Sequence, residues 1–248
     1  FDHTQILGSF LSQIAFEKAG IIKNSNQKVV IAPQEKEAME VLRARCQELG
    51  INPIEVKAGA DKNFELGLKG KHQRTNAQTA LEVVSILKEM GMGILDTAVT
   101  KGLKNVRWPG RFELLRQSPD VIVDGAHNEA SALALARLLG DEYPHRKIIL
   151  ILGVSEDKDI EGICRPLKDQ IACVFLTKAN HPRAHQFTEK DAQKYFSDKP
   201  WEIIDNIPSA IARALNTADK QGVILITGSF FVVAEARNIV HGAPLRCS

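Results

Sequence analysis

The chain has 248 residues, of which 44% are hydrophobic and 25% charged, and its 32 basic and 30 acidic side chains nearly cancel to +2. These proportions are those of a soluble globular protein with one large domain or two modest ones. The charges are mixed along the chain and form no basic stripe, which excludes nucleic acid as a first reading of the partner.

The opening stretch FDHTQILGSFLSQIAFEKAGIIK reads as a helix from Ser9 to Gly20, with Leu11, Ile14, Ala15 and Lys18 on one face. An ammonium group therefore falls on an otherwise apolar stripe. KVVIA then reads as a short buried strand, Pro33 to Gly50 as a helix with Met39, Leu42, Cys46 and Leu49 on one side, and INPIEVK and NFELGLKG as two strands. Asn76 to Met90 and ILDTAVTKGLKNV are helical, and RWPGRF marks a break. A domain boundary is expected there, giving residues 1–107 and 108–248.

Beyond the break the rhythm changes. DVIVD, KIILIL, ACVFLT, WEII and GVILIT are strand-like runs. They alternate with helical stretches from Ala130 to Leu139, Asp159 to Leu167, Glu189 to Phe196, Ile207 to Asn216 and Phe230 to Val240. Such alternation predicts an α/β domain with a mostly parallel sheet, whose ligands bind at the carboxyl ends of the strands. VILITGSFFVVA is too short and too interrupted to span a membrane, and none is expected. The four cysteines form no C-x-x-C pair and suit reduced thiols. No signal peptide is visible, and a chain that starts on Phe1 with a motif underway reads as a fragment of a longer protein.

The carboxyl strand ends carry the chemistry. VIVDGAHN puts Asp124, His127 and Asn128 between a strand and a helix, where a carboxylate can take two ribose hydroxyls and the helix amides favour an anion. The plainer alternative is that Asp124 ends the strand and Asn128 caps the helix. Ser229 in LITGSFF either binds a carboxylate together with helix amides or serves as an N-cap, and Asn76 has the same ambiguity. No G-x-G-x-x-G follows a strand, which weighs against a dinucleotide enzyme, and no G-x-x-x-x-G-K-[ST] loop is present. A lone His3 is ordinarily exposed, and Lys18 ordinarily extends its amine to water. Buried instead, Lys18 would lose its charge readily and could add carbon dioxide to become a carbamate, an oxygen-bearing anion suited to magnesium.

DHTQILGSFLSQIAFEKAGI resembles the signature of the folylpolyglutamate synthase and dihydrofolate synthase family of the Mur ligase superfamily. RWPGRFELL, VIVDGAHNEASALAL and TGSFFVV are similar to its later motifs, in the same order. The resemblance implies that residues 1–107 are the last part of a P-loop ATPase-like domain and residues 108–248 a Rossmann-like domain. His3 would be a magnesium ligand, Lys18 the carbamylated lysine, and Asn76 a neighbour of the nucleotide base. Arg111 would reach the nucleotide phosphates, Asp124 would bind the ribose, and His127 and Ser229 would hold the incoming glutamate. ATP and Mg2+ are the implied cofactors, with dihydropteroate or folate and L-glutamate as substrates. A monomer in the cytoplasm, or in a mitochondrion, is expected. A non-catalytic nucleotide- or folate-binding module and a cell-wall Mur-type ligase are the rival readings. Two departures stand out: Ser9 where the family commonly has Thr, and Glu129 where Pro commonly follows HN.

Overall fold

The computed structural model describes residues 10–57 and 64–242, so His3 and Ser9 lie outside the described residues. The chain divides into two compact units, Phe1–Arg107 and Trp108–Ser248.

The first unit begins with α1 (Leu11–Ala19), followed by β1 (Val30–Ile31), α2 (Lys36–Glu48) and β2 (Ile54–Glu55). The two strands pair in parallel, Val30 opposite Ile54 and Ile31 opposite Glu55. Cys46 of α2 packs with Ile22 and Ile51 to form a small core. The Arg43 guanidinium grips the Glu55 carboxylate with two hydrogen bonds of 2.6 Å. Helices α3 (Lys71–Glu89) and α4 (Asp96–Asn105) complete the unit.

Three expectations change here. Residues 64–70 of NFELGLKG form no strand; Gly67 instead donates its amide to the Leu103 carbonyl, and the Val106 carbonyl leaves no room for a Cβ at this position. Helix α3 starts at Lys71 and not at Asn76, because the chain turns at Gly70 and the run KHQRT is held inside the helix, with Gln73 buried. The buried line of α1 follows the four-residue spacing of Ala15 and Ala19, which leaves Lys18 and Phe16 exposed. Lys18 thus does not face the core of the described residues.

The second unit is a six-stranded α/β sheet. Its strands are β3 (Glu113–Arg116), β4 (Asp120–Val123), β5 (Ile148–Leu152), β6 (Ile171–Leu176), β7 (Trp201–Ile203) and β8 (Val223–Thr227). They lie in the order β3-β4-β8-β5-β6-β7, all parallel except β3, which runs antiparallel to β4. The helices are α5 (Glu129–Glu142), α6 (Ile160–Leu167), α7 (Glu189–Phe196), α8 (Ile207–Thr217) and α9 (Phe230–Gly242).

Side chains alternate across a strand with a period of two, and here the alternation separates two cores. Ile122, Leu150, Leu152 and Leu225 pack with Leu135, Ile163, Leu167 and Phe196 of α5, α6 and α7. Val121, Val123, Ile151, Ile224 and Ile226 pack with Ile211 of α8 and Val232 and Val233 of α9. The central strands β5 and β8 are buried throughout, which explains their continuous apolar runs. Truncating one such residue, Leu150→Ala for instance, costs about 2–5 kcal/mol in transfer and cavity terms.

The topology places the site. Strands β4 and β8 are neighbours, yet the helix after β4 packs on one face of the sheet and the helix after β8 on the other. Two chains leaving adjacent strand ends in opposite directions open a crevice at the carboxyl edge, the usual ligand position in open α/β sheets.

Candidate functional site

Asp124 directly follows β4 and is half-buried. Its Oδ2 accepts the Phe112 amide at 2.9 Å and its Oδ1 accepts the Ala126 amide at 2.9 Å. The Asp124 backbone is fixed as well: its amide donates to Ile226, and the Thr227 hydroxyl donates to its carbonyl at 2.7 Å. The carboxylate ends the strand, as its position in the sequence allows, and it also holds a loop twelve residues upstream.

That loop is the segment containing Arg111. Gly110 takes a positive φ of 73°, a conformation that suits glycine. Its amide donates to Glu113 Oε2 at 2.7 Å, and Glu113 in turn receives two hydrogen bonds from Arg237 of α9, at 2.7 and 3.1 Å. The residues on both sides of Arg111 are thus pinned through their amides to carboxylates. The guanidinium lies over the Phe230 ring, 5.1 Å from its centroid.

His127 lies in the loop between β4 and α5. Its Nδ1 is 2.8 Å from the Gly125 carbonyl, which can only accept, so Nδ1 carries the proton and donates. Its ring sits 5.3 Å from that of Phe230. Asn128 is the N-cap of α5: its side chain accepts the Ser131 amide, and the Ser131 hydroxyl accepts the Asn128 amide in return. Glu129, in the first turn, pairs with Arg165 of α6, which neutralises the charge it brings to this helix end.

Ser229 is only 5% exposed, and its hydroxyl accepts the Phe231 amide at 3.2 Å, so it takes the capping role at the start of α9. Gly228 donates its amide to the Ala126 carbonyl, which binds the β8 loop to the β4 loop.

The structure therefore brings Arg111, Asp124, His127 and Ser229 to one mouth, where the N-termini of α5 and α9 supply partial positive charge. Arg111 brings a cation to this edge of the sheet, with its guanidinium over the Phe230 ring. Lys18 and Asn76 belong to the first unit. Lys18 is exposed on α1, and exposed Asn76 donates from Nδ2 to the Gln73 side chain at 3.1 Å inside α3. Among the described residues no group of three His, Cys, Asp or Glu side chains can hold a metal ion. The sequence reading missed Glu113, Arg237 and Phe230. Only the Glu directly after PGRF hinted at the first of these, because the partners of the other two are remote in sequence.

Residues 110–230 match the family model described as Mur ligase, glutamate ligase domain. The chain is 28% identical over 260 residues to the dihydrofolate synthase/folylpolyglutamate synthase of Bacillus subtilis, covering 95% of this chain and 60% of that protein. It is 30% identical over 289 residues to the Mycobacterium tuberculosis enzyme of the same name, covering 98% and 59%.

Over nearly its whole length the chain is similar to folylpolyglutamate synthases and dihydrofolate synthases.

A crystal structure of the M. tuberculosis folylpolyglutamate synthase, complexed with ADP and AMPPCP, superposes with a TM-score of 0.85 at 29% identity, covering 98% of this chain and 62% of that one. The chain thus spans about 60% of the length of the family members it matches. The Mur ligase match falls on the six-stranded unit and begins at Gly110, inside the pinned loop. No helix among the described residues is long and apolar enough to cross a membrane.

Proposed function

We propose that this chain is the nucleotide- and glutamate-handling part of an ATP-dependent ligase that joins L-glutamate to dihydropteroate or to a folyl-glutamate. The observation that carries this reading is the mouth at the ends of β4 and β8. There a pinned arginine, a carboxylate, a histidine and two helix N-termini converge inside the matched glutamate ligase domain.

In the reaction, the γ-phosphate of ATP passes to a substrate carboxylate, releasing ADP. The acyl phosphate is then attacked by the glutamate amine; the amide bond forms, the C–O bond breaks, phosphate leaves and the amine loses a proton. A carboxylate is a poor electrophile until its oxygen becomes part of a leaving phosphate, so catalysis rests on positioning and charge neutralisation. Arg111 is assigned to the nucleotide phosphates, Asp124 to the ribose and Asn76 to the base. His127 and Ser229 are assigned to the incoming glutamate. The Asp124 oxygens accept the Phe112 and Ala126 amides, and a carboxylate oxygen can accept more than one hydrogen bond.

Magnesium, when bound, would neutralise phosphate charge. The described residues do not fit such a site alone, since His3 lies outside them and Lys18 stands exposed. Carbamylation of Lys18 and ligation by His3 remain part of the proposal for the complete enzyme. So do the ATPase-like identity of residues 1–107, a monomeric state and a cytoplasmic or mitochondrial home.

A product assay on the complete gene product tests the reading. Dihydropteroate and a mono-glutamylated folate are offered in turn with ATP and labelled glutamate. Labelled amide product from either supports the ligase; ADP binding with no product from both supports the rival, a non-catalytic nucleotide- or folate-binding module. Lys18→Ala should cut turnover severely, with partial rescue by a small carboxylate, and turnover like wild type removes Lys18 from the mechanism.

A further inference from the structure

Phe230 is an aromatic ring left 47% exposed at the first position of α9, outside both cores of the sheet. Its neighbours are not ordinary packing partners. The ring lies so close to Gly125 that a Cβ there would stand 2.3 Å from Cε1 and 2.8 Å from Cδ1. One neighbour is the His127 ring at 5.3 Å, and the Arg111 guanidinium lies over its face at 5.1 Å.

We infer that Phe230 is a positioning residue: its ring is the platform that presets Arg111, and with it His127, at the mouth before an anion arrives. The inference rests on the reading of Arg111 as the arm that reaches nucleotide phosphates. A guanidinium held over a ring by its positive charge spends none of its five N–H donors on the contact. Its edge remains available to oxyanions while its rotamers are already restricted. The Arg111 backbone is fixed independently by the Glu113 and Asp124 hydrogen bonds to its neighbours, so the ring governs only the outer half of the side chain. Gly125 admits the ring by having no Cβ.

The test uses the whole chain and the variants Phe230→Leu, Phe230→Tyr, Gly125→Ala and Arg111→Met. Proton NMR of the free protein should show ring-current shifts on the Arg111 Hε and the His127 ring protons. They should vanish in Phe230→Leu, persist in Phe230→Tyr and shrink in Gly125→Ala, which moves the ring from the opposite side. ADP affinity by calorimetry should fall about three-fold in Phe230→Leu, the scale of a surface cation–π contact. Phe230→Tyr should restore it, and in an Arg111→Met background the Phe230→Leu change should have no further effect. Unchanged ring-current shifts, or an equal loss of affinity in both backgrounds, would overturn the inference. Failure of the wild-type chain to bind ADP would instead strike the nucleotide reading of Arg111, and the NMR comparison would still decide the platform.

Discussion

The Asp124 carboxylate and the Phe112 amide, twelve residues apart, meet at 2.9 Å and join the loop of Arg111 to the end of the strand that carries the site. The same carboxylate caps the turn through Ala126. One side chain therefore ties the Arg111 loop to the loop that follows β4. Asp124→Ala should lower unfolding free energy by about 2 kcal/mol in urea titrations, the worth of charge-assisted hydrogen bonds with partners left unsatisfied. It should also weaken ADP binding more than glutamate binding, and the reverse pattern would show that the two subsites are exchanged.

Glu113 links three elements, since it accepts from Gly110 and pairs bidentately with Arg237 on α9. Both side chains are largely shielded, with 24% and 29% exposure. Glu113→Ala strands a guanidinium and an amide, whereas Arg237→Ala strands only a carboxylate that keeps one donor. Glu113→Ala should therefore be the costlier change, about 2–3 kcal/mol against about 1–2 kcal/mol, with a coupling of about 1 kcal/mol in the double mutant. Additive losses in chemical denaturation would contradict the pairing.

Asp191 titrates below the ordinary aspartate value. Burial pushes its pKa up, but hydrogen bonds from the Thr188 hydroxyl and amide, and the nearby His185, outweigh that and bring it down. A carboxylate with a depressed folded pKa stabilises the fold above its unfolded pKa of about 3.9 and loses that contribution as pH falls through the folded value. Asp191→Asn should thus be less stable than wild type at neutral pH, and the gap should narrow on acidification below about pH 4. A gap constant from pH 7 to pH 2 by thermal denaturation would remove the carboxylate charge from the α7 cap.

Cys164 sits in α6 with its thiol pKa pushed up to about 12, by burial first and then by the carboxylates of Asp159 and Glu161. The thiolate is the reactive form. Iodoacetamide at mildly alkaline pH should leave Cys164 intact in the native protein while half-buried Cys173 is alkylated, and urea should expose both. Mass mapping that finds Cys164 modified first would mean that α6 opens more readily than its packing indicates.

The sheet was legible because burial on both sides forces continuous apolar runs such as IILIL and VILIT, and such runs survive without context. The loop after β4 was legible too, because Asp, Gly and Asn have few uses between a strand and a helix. Strand β3 was not, since its four residues show no alternation and its antiparallel pairing with β4 is a tertiary event. Neither was the Glu113–Arg237 pair, whose members are 124 residues apart. The Lys18 stripe misled for a local reason: a helix face can be drawn with either three- or four-residue steps, and packing on α1 follows Ala15 and Ala19.

The anchored amides on either side of Arg111 carry a mechanical consequence. Although Arg111 lies only four residues past the last residue of the first unit, its own amide donates to Trp108 and its neighbours are tied to Glu113, Asp124 and Gly125, all within the second unit. These ties keep the arginine in the frame of the sheet. The cation is thus a fixture of the carboxyl-terminal unit, and replacing the residues upstream of Trp108 with an unrelated linker should leave its aim unchanged.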